Sequence, residues 1–217
     1  MSYYKFLCEG GISPYASAQW SLPTKNDDGT WTPGDWMPAL EGEPVECKHG
    51  YHLLRPHDLS EWLNAELYEV EADGPVTEYN TKCATTARCR LVRRIEAWNE
   101  RTARHFACDC AKRVLHIYES KYPDDDRPRQ AIATARRYAD GDATKRELGA
   151  AWDAAWDAAW ATARGAARGA AWDAAWAAAR AAARGAEKEW QIQHLWCKLG
   201  SPFGDKGGQA DATDQVY

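Results

Sequence analysis

A four-residue repeat in the last third constrains this 217-residue chain more than any other feature. One bulky residue, Trp or Arg, occupies every fourth position, and almost only Ala, Gly and Asp lie between them. The repeat positions are Trp152, Trp156, Trp160, Arg164, Arg168, Trp172, Trp176, Arg180 and Arg184. Because alanine has the highest helix propensity, the segment predicts α-helix.

The period of four does not match the helical turn. Each residue advances roughly 100°, so each repeat drifts by about 40°. The first three Trp then lie at roughly 0°, 40° and 80°, and the last two at roughly 200° and 240°. Gly165 and Gly169 lie between the two Trp clusters, and each lowers helix propensity by about 1 kcal/mol relative to Ala. We expect two helices, 145–164 and 170–198, packed as a hairpin; one unbroken helix buried on two sides is the alternative.

The first 97 residues have the alternation and turn signals of short strands. A short helix from Asp58, capped by that residue, interrupts them. The predicted strands are Ser2–Leu7, Pro44–Lys48, Tyr51–Leu54, Glu66–Ala72, Thr77–Cys83 and Ala87–Ile95. The order of strands and helix indicates an α+β unit.

After residue 97 the sequence contains residues typical of helix starts. Asn99 can cap a helix running to about Tyr122, Pro128 lies in the first turn of a second helix, and Thr144 with Glu147 forms a capping box for a third. The apolar positions Phe106, Cys110, Val114, Leu115 and Ile117 fall near one face of the first helix. We therefore predict an α+β chain: a small β-rich domain at 1–97, an Ala/Trp-rich helical bundle at 98–199 and a flexible tail at 200–217.

Composition limits the environment and the partners. There is no run of about 18 apolar residues, so no transmembrane helix is expected. The opening residues do not resemble a secretion signal, and we expect the seven Cys to be reduced thiols in a cytoplasm, the host's if the protein is viral. Residues 1–98 carry a net charge of −6 and residues 99–217 one of +1, which argues against sequence-independent nucleic-acid binding.

Two Cys/His groups are candidates for a metal site. Cys47, His49, His52 and His57 lie close in sequence, but a turn intervenes before His52 and no Cys-x-x-Cys pair supports zinc. On a helix, Cys110 would lie roughly 200° from Cys108, which separates it from any site that Cys108 forms with His105. We favour ordinary loop histidines and buried thiols, and we expect no metal and no cofactor.

Two N-terminal candidates bear on ligand binding. Tyr51, His52 and Arg55, beside a Trp-rich loop, form the best pocket candidate in this half. A basic strand holds Arg88, Arg90, Arg93 and Arg94; the first two share a face and could meet phosphate, although a solvated edge strand protected by charge is the favoured alternative.

The Trp/Arg repeat is the most distinctive binding candidate. Trp faces stack on planar rings and Arg forks onto phosphate, so a groove between two Ala-rich helices would suit a nucleotide. The predicted ligand residues here are Trp152, Trp156, Trp160, Arg164, Arg168, Trp172 and Trp176. The alternative is that Trp fills the core of a small-residue bundle while Arg lies along its surface.

Two stretches resemble known families. Residues 3–72, through Tyr-Lys-Phe-Leu, Cys47–Pro56 and Leu67–Glu71, resemble an uncharacterised domain found at the start of small phage and bacterial proteins. Residues 105–195 resemble immunity proteins of polymorphic toxin systems, through Asp109, Cys110, Asp126–Ile132 and the long Ala-rich helix. The order Gly-Tyr-His, short helix, Glu-Val-Glu strand is also similar to ADP-ribosyltransferase-like folds. These resemblances imply a role in conflict between a host and a virus or toxin.

Three functions follow as hypotheses. The leading one is a non-enzymatic protein that binds and sequesters a small anionic nucleotide-like immune signal. The second is an immunity protein that binds a protein toxin, and the third is a nucleotide-processing or ADP-ribosyltransferase-like enzyme. Exposed Trp on an Ala-rich surface also predicts a homo-oligomer.

Overall fold

The computed structural model describes residues 2–16, 18–166 and 188–200, with side chains in the third helix described as far as residue 155. The β elements and one 3-10 helix come first. They are β1 (Tyr3–Leu7), β2 (Thr24–Lys25), β3 (Trp31–Thr32), β4 (Tyr51–Leu53), the 3-10 helix (Pro56–Glu61), β5 (Glu66–Asp73), β6 (Thr77–Glu78), β7 (Cys83–Thr85) and β8 (Arg88–Arg94). The helices are α1 (Glu100–Glu119), α2 (Arg127–Asp140), α3 (Lys145–Ala166) and α4 (188–198).

Three small antiparallel sheets organise the strands. The largest has the order β1-β5-β8, a second has the order β4-β7-β6, and β2 pairs with β3. The backbone of Tyr4 also bridges to Leu54, just after β4, which joins the first two sheets. The α+β class expected from the sequence is therefore confirmed.

The central sheet is buried on both faces. Because side chains alternate along β1, Tyr4 and Phe6 point to one side while Lys5 and Leu7 point to the other. The first side packs against the helices. Its buried cluster consists of Tyr4, Phe6, Leu54, Leu59, Leu67, Ile95, Trp98, Phe106, Leu195 and Leu199. The second side packs against the smaller sheet and the Trp-rich loop. Its buried cluster consists of Leu7, Trp20, Leu53, Tyr68, Val70, Cys83, Cys89 and Leu91.

The first cluster mixes both halves of the chain. Leu195 of α4 is fully buried, and Trp196 meets Tyr4 edge-on with ring centroids 5.6 Å apart. Trp98 meets Phe6 in the same way at 5.4 Å. The predicted domains 1–97 and 98–199 thus share one hydrophobic core along β1, α1 and α4, and the division at residue 97 stays a prediction.

Two predicted strands differ in the structure. Residues 44–48 form a turn closed by a bridge between Val45 and His49 instead of a strand. The stretch predicted as Thr77–Cys83 divides into β6 and the start of β7, because the chain reverses where the Tyr79 amide donates to the Lys82 carbonyl at 2.8 Å.

The starts predicted for α1 and α3 are confirmed. The short helix expected to begin with Asp58 as its cap begins instead at Pro56, because Arg55 is its N-cap residue and the Asp58 carboxylate accepts the Arg55 amide at 3.1 Å from inside the first turn. Asn99 caps α1 through its side chain, which accepts the Thr102 amide at 3.0 Å. Thr144 and Glu147 form the reciprocal capping box of α3. Gly141, at φ 85°, ends α2 in the left-handed conformation that glycine adopts without strain.

The predicted hairpin in the repeat falls partly outside the described residues. The helical backbone of α3 continues through Gly165 to Ala166, slightly beyond the expected end at 164. The segment 167–187, where the break and the start of the second helix were expected, and the predicted tail after residue 200 lie outside the described part of the chain.

Candidate binding surface on the helical region

One carboxylate joins three helices. Asp109 of α1 accepts hydrogen bonds from His194 Nε2 at 2.7 Å and Lys198 Nζ at 2.9 Å, both on α4. It also forms an ion pair with Arg136 of α2. The Asp109 side chain is 16% exposed, so these three cationic or polar partners replace most of its water. These contacts connect α2 and α4 to α1 at Asp109.

The charge of Asp109 is well stabilised. Burial raises the pKa of its carboxyl, but hydrogen bonds from Lys198, His194 and Arg136 together outweigh burial and hold the pKa well below its usual range. The carboxylate is therefore ionised at neutral pH, and it serves as the negative centre of the junction.

A column of stacked planar groups lies beside this junction. The His194 ring stacks on Trp190 with centroids 4.6 Å apart and on Phe106 at 6.0 Å. The guanidinium of Arg113 covers Trp190, 4.4 Å from the ring centroid. Stacked rings and the Asp109 contacts both restrict the rotamers of α4, which gives the surface next to them a defined shape.

An apolar stripe runs along α1 next to α4. Its members alternate between spacings of four and three residues and are Ala103, Ala107, Cys110, Val114 and Ile117. At roughly 100° per residue they fall within about 80° of one another. Val114 is 43% exposed and Ile117 is 54% exposed. Apolar side chains at this spacing form the face with which one α-helix packs against another.

The stripe opens at one end into a groove of about 520 Å³. Ala103, Ala107 and Cys110 form one wall, Leu63 and Asn64 another, and Gln191 of α4 lies opposite. The hydroxyl of Ser60 lines this groove, is buried, and has no hydrogen-bond partner among the described residues. Groove and stripe together form a continuous, mainly apolar surface, which we call the α1 surface.

The sequence predicted the apolar positions of α1 but not their roles. Phe106 and Leu115 are buried as expected, whereas Val114 and Ile117 are exposed. Phe106 packs against the sheet and α4. Leu115 lies two turns after Cys108, on the face of α1 where the Cys108 thiol contacts the Ile132 carbonyl of α2. The four-three spacing in the sequence was the signal for the α1 surface, whereas the partners of Asp109 lie 27 to 89 positions away and only the fold reveals them.

The Trp/Arg repeat is described only in part. Trp152 lies on α3 and is 66% exposed. Trp156, Trp160 and Arg164 lie on the helical backbone of α3, beyond the last residue of this helix whose side chain is described. Arg168, Trp172 and Trp176 lie outside the described residues. The repeat as a ligand site thus stays a prediction.

The N-terminal candidates each have internal contacts. The Tyr51 hydroxyl donates to the Pro38 carbonyl at 2.7 Å, and its ring meets Trp20 edge-on. His52 accepts the Cys47 amide at 2.9 Å, and burial, with the charges of Lys5 and Lys82, lowers its pKa. A ligand pocket formed by Tyr51, His52 and Arg55 stays a prediction.

Arg55 lies inside the fold. Its guanidinium bonds Asp58 through Nε at 2.7 Å and Glu78 through Nη1 at 2.8 Å, and it donates to the carbonyls of Tyr79 and Asn80. Hydrogen bonding to Asp58 outweighs burial and raises its pKa. The residue ties the 3-10 helix to the β6–β7 turn.

The basic strand is charge-paired. Each Arg of β8 faces an acidic residue of β5, in the pairs Arg88–Asp73, Arg90–Glu71, Arg93–Glu69 and Arg94–Glu66. Arg88 and Arg90 also cover the ring of Trp36, 5.2 Å and 4.5 Å from its centroid. These contacts favour the edge-strand interpretation over a phosphate site.

The Cys/His groups do not converge. His105 pairs with Asp140 at 3.0 Å, and the Cys108 thiol lies against the Ile132 carbonyl on α2. Among residues 2–16, 18–166 and 188–200, no three His, Cys, Asp or Glu side chains are grouped as they would be around a metal ion. Nor does any helix in those ranges combine the length and apolarity needed to cross a bilayer.

Comparison with curated proteins and with solved structures gives no match. Residues 93–186 match the model of a family described as Imm-5 like putative immunity protein. The matched segment contains α1, α2 and α3 and overlaps residues 105–195, for which the sequence predicted such a resemblance. The helical region of this chain is therefore similar to an immunity-protein family.

Proposed function

We propose that this protein is an immunity-type protein that neutralises a toxin by binding it, and that the α1 surface is the contact site. The single observation that carries this proposal is the exposed apolar stripe of the α1 surface. The α1 helix lies wholly inside the family-matched segment. The family match supports an immunity-protein-like role, and the α1 surface gives that role a physical basis.

The apolar side chains of the α1 surface suit a protein partner. Val114 and Ile117 are roughly half exposed, so covering them would contribute on the order of 1 kcal/mol each. The small side chains of Ala103 and Ala107 allow a partner's backbone to approach closely, as at helix–helix contacts. The Asp109 junction and the Trp190–His194 stack fix the adjoining wall before binding, which reduces the ordering cost of association.

The test first isolates a stoichiometric protein partner by co-purification from the native host and then uses that partner as the candidate toxin. That toxin is expressed in bacteria alone and together with the protein, and growth and complex formation on gel filtration are measured. Growth should recover only in the presence of this protein. Val114→Asp with Ile117→Asp should abolish rescue and complex, because two buried carboxylates cost far more than the apolar contacts gain.

A matched control uses the same helix. Lys112→Asp changes the net charge by the same two units at an exposed position of α1, roughly 160° from Val114 and roughly 140° from Ile117. It should leave rescue unchanged. Rescue by the double Asp variant, with unchanged helical circular dichroism, would contradict the α1 surface as the contact site.

The second candidate is sequestration of a small anionic nucleotide-like signal. The observation that favours it is Trp152, whose ring is 66% exposed on α3 at the start of the Trp/Arg repeat. Isothermal titration against cyclic nucleotides and ADP-ribose, with Trp152→Ala as the variant, tests this function. Absence of heat with every nucleotide at micromolar protein would count against it and leave the toxin-binding function standing.

A further inference from the structure

The groove of the α1 surface contains a hydroxyl without a partner. Ser60, in the 3-10 helix, lines this groove, and its buried Oγ has no hydrogen-bond partner among the described residues. Neighbouring polar groups are paired within the protein. The Trp98 indole N–H donates to the Asn64 carbonyl at 2.7 Å, and the Asn64 side-chain oxygen accepts the Ala65 amide at 2.7 Å. Ser60 thus differs from the polar groups around it.

Burial makes the missing partner of Ser60 informative. A hydroxyl that meets neither water nor a protein acceptor is costly, because its desolvation is not compensated. Ser60 itself is partly exposed, and its hydroxyl rotates about a single bond, which allows it to turn towards a ligand in the groove. A serine hydroxyl both donates and accepts, so a ligand that carries its own hydroxyl would pair with it.

The rest of the groove suits an uncharged aromatic ring. The rings of Trp98 and Phe106 line it, with centroids 6.3 Å apart, and such rings pack well against a third ring placed edge-on or offset. Leu63, 39% exposed, lies beside them. None of the residues that line the groove is Asp, Glu, Lys, Arg or His, which disfavours a phosphate or a carboxylate. Its volume of about 520 Å³ is within the range of pockets for small groups.

We propose that this groove is the docking site for a tyrosine side chain of the protein partner, with the phenol hydroxyl paired to Ser60. The proposal rests on the proposed function, because it names the group that the toxin inserts beside the apolar stripe. A phenylalanine would fill the same space but leave the Ser60 hydroxyl unpaired. Tyrosine is also one of the residues that most often dominate the binding energy of protein interfaces.

The test uses the intact protein and two probes, N-acetyltyrosinamide and N-acetylphenylalaninamide, which differ by one hydroxyl. An NMR titration of isotope-labelled protein follows the backbone amide signals of Ser60, Leu63 and Ala107. These signals should shift with the tyrosine probe. Its dissociation constant should be about fivefold lower than that of the phenylalanine probe, which is the effect of one ordinary hydrogen bond.

Two serine variants locate the effect. Ser60→Ala should remove the difference between the probes, because it removes the hydroxyl that tells them apart. Ser120→Ala removes an exposed hydroxyl at the end of α1 and should preserve the difference. Equal affinity of the parent protein for both probes would overturn the proposal. So would shifts that map away from the groove, or no shift at the solubility limit of the probes.

The co-purified partner separates this proposal from the proposed function. Adding the partner should displace the tyrosine probe from the groove. A partner that forms a complex but leaves the probe bound would overturn the docked tyrosine, while toxin binding would stand. Conversely, rescue by the Val114→Asp, Ile117→Asp variant would count against the α1 surface as the toxin contact without changing the preference of the groove for the tyrosine probe.

Discussion

Lys5 on β1 is a buried ammonium whose removal should change stability in a pH-dependent direction. The residue is 9% exposed, its Nζ donates to the His52 carbonyl at 2.8 Å, and no carboxylate pairs with it among the described residues. Burial lowers the pKa of Lys5 from 10.5 to about 8. The interval between these values corresponds to about 3 kcal/mol of destabilisation when the group is charged.

The sign follows from proton binding. The unfolded chain keeps the Lys5 proton up to about pH 10.5, whereas the folded chain loses it above about pH 8. Between these values the unfolded state binds more protons, so the contribution of Lys5 to stability improves as pH rises. The penalty is fully present below about pH 8 and is gone above about pH 10.5.

Lys5→Met removes the penalty and also the hydrogen bond to His52, which contributes on the order of 1 kcal/mol. We expect the variant to be about 2 kcal/mol more stable than the parent at about pH 7 and about 1 kcal/mol less stable near pH 10.5. Urea unfolding at a series of pH values, followed by circular dichroism, measures the difference. Lys112→Met, at an exposed position of α1, is the control and should show no such reversal.

A constant difference between Lys5→Met and the parent across this range would refute the reasoning. It would mean that Lys5 is as well solvated in the folded chain as in the unfolded chain. Comparing two proteins at each pH removes the titration of the other groups, because they are common to both.

Three further predictions concern the junction, the Arg55 site and a helix cap. Asp109→Asn should destabilise the protein by about 2 kcal/mol at neutral pH, since three helices lose their shared anion. Because the pKa of Asp109 is depressed in the folded chain, this contribution should begin to fall below about pH 4, where the unfolded carboxyl takes up a proton, and should be lost only when the folded carboxyl does so; a destabilisation that is equal at about pH 2 and 7 in urea titrations would contradict it. Arg55→Met leaves Asp58, 1% exposed, without its cation and should cost about 3 kcal/mol or more, whereas Arg101→Met at an exposed pair should cost less than about 1 kcal/mol by the same assay. Asn99→Ala should cost about 1 kcal/mol and Asn99→Asp should restore most of it in thermal unfolding, unless the α1 cap is redundant.

Local chemistry in the sequence predicted much of the fold. Asn99, Pro128, Gly141 and the Thr144–Glu147 box set the helix ends, because capping and left-handed turns involve only residues a few positions apart. Alternation predicted β5 and most of β8. The Val45–His49 turn and the division into β6 and β7 were missed, because apolar spacing alone does not show where a short chain reverses.

The candidate functional residues show the same difference between what local sequence predicts and what packing decides. The sequence predicted Trp152 as a ligand residue, with a core-filling role as the alternative, and it predicted the apolar positions of α1. It did not predict that Val114 and Leu115, which are adjacent in the chain, have opposite environments, since Val114 is exposed and Leu115 is buried. Their exposure depends on where α2 and α4 pack. Arg55 resembled a ligand residue in sequence, and its partners Glu78, Tyr79 and Asn80 lie more than twenty positions away.

The sequence by itself thus determined most of the element types, the caps of α1 and α3 and the unusual Trp/Arg repeat, since these follow from backbone preferences and from contacts within one turn. Only the tertiary structure decided that α4 returns to the N-terminal sheet, that Asp109 meets three partners and that Lys82 lies against Cys47. Those contacts join residues 27 to 192 positions apart. Their energy comes from desolvation and charge pairing, which depend on burial, and burial exists only once the sheets and helices have packed.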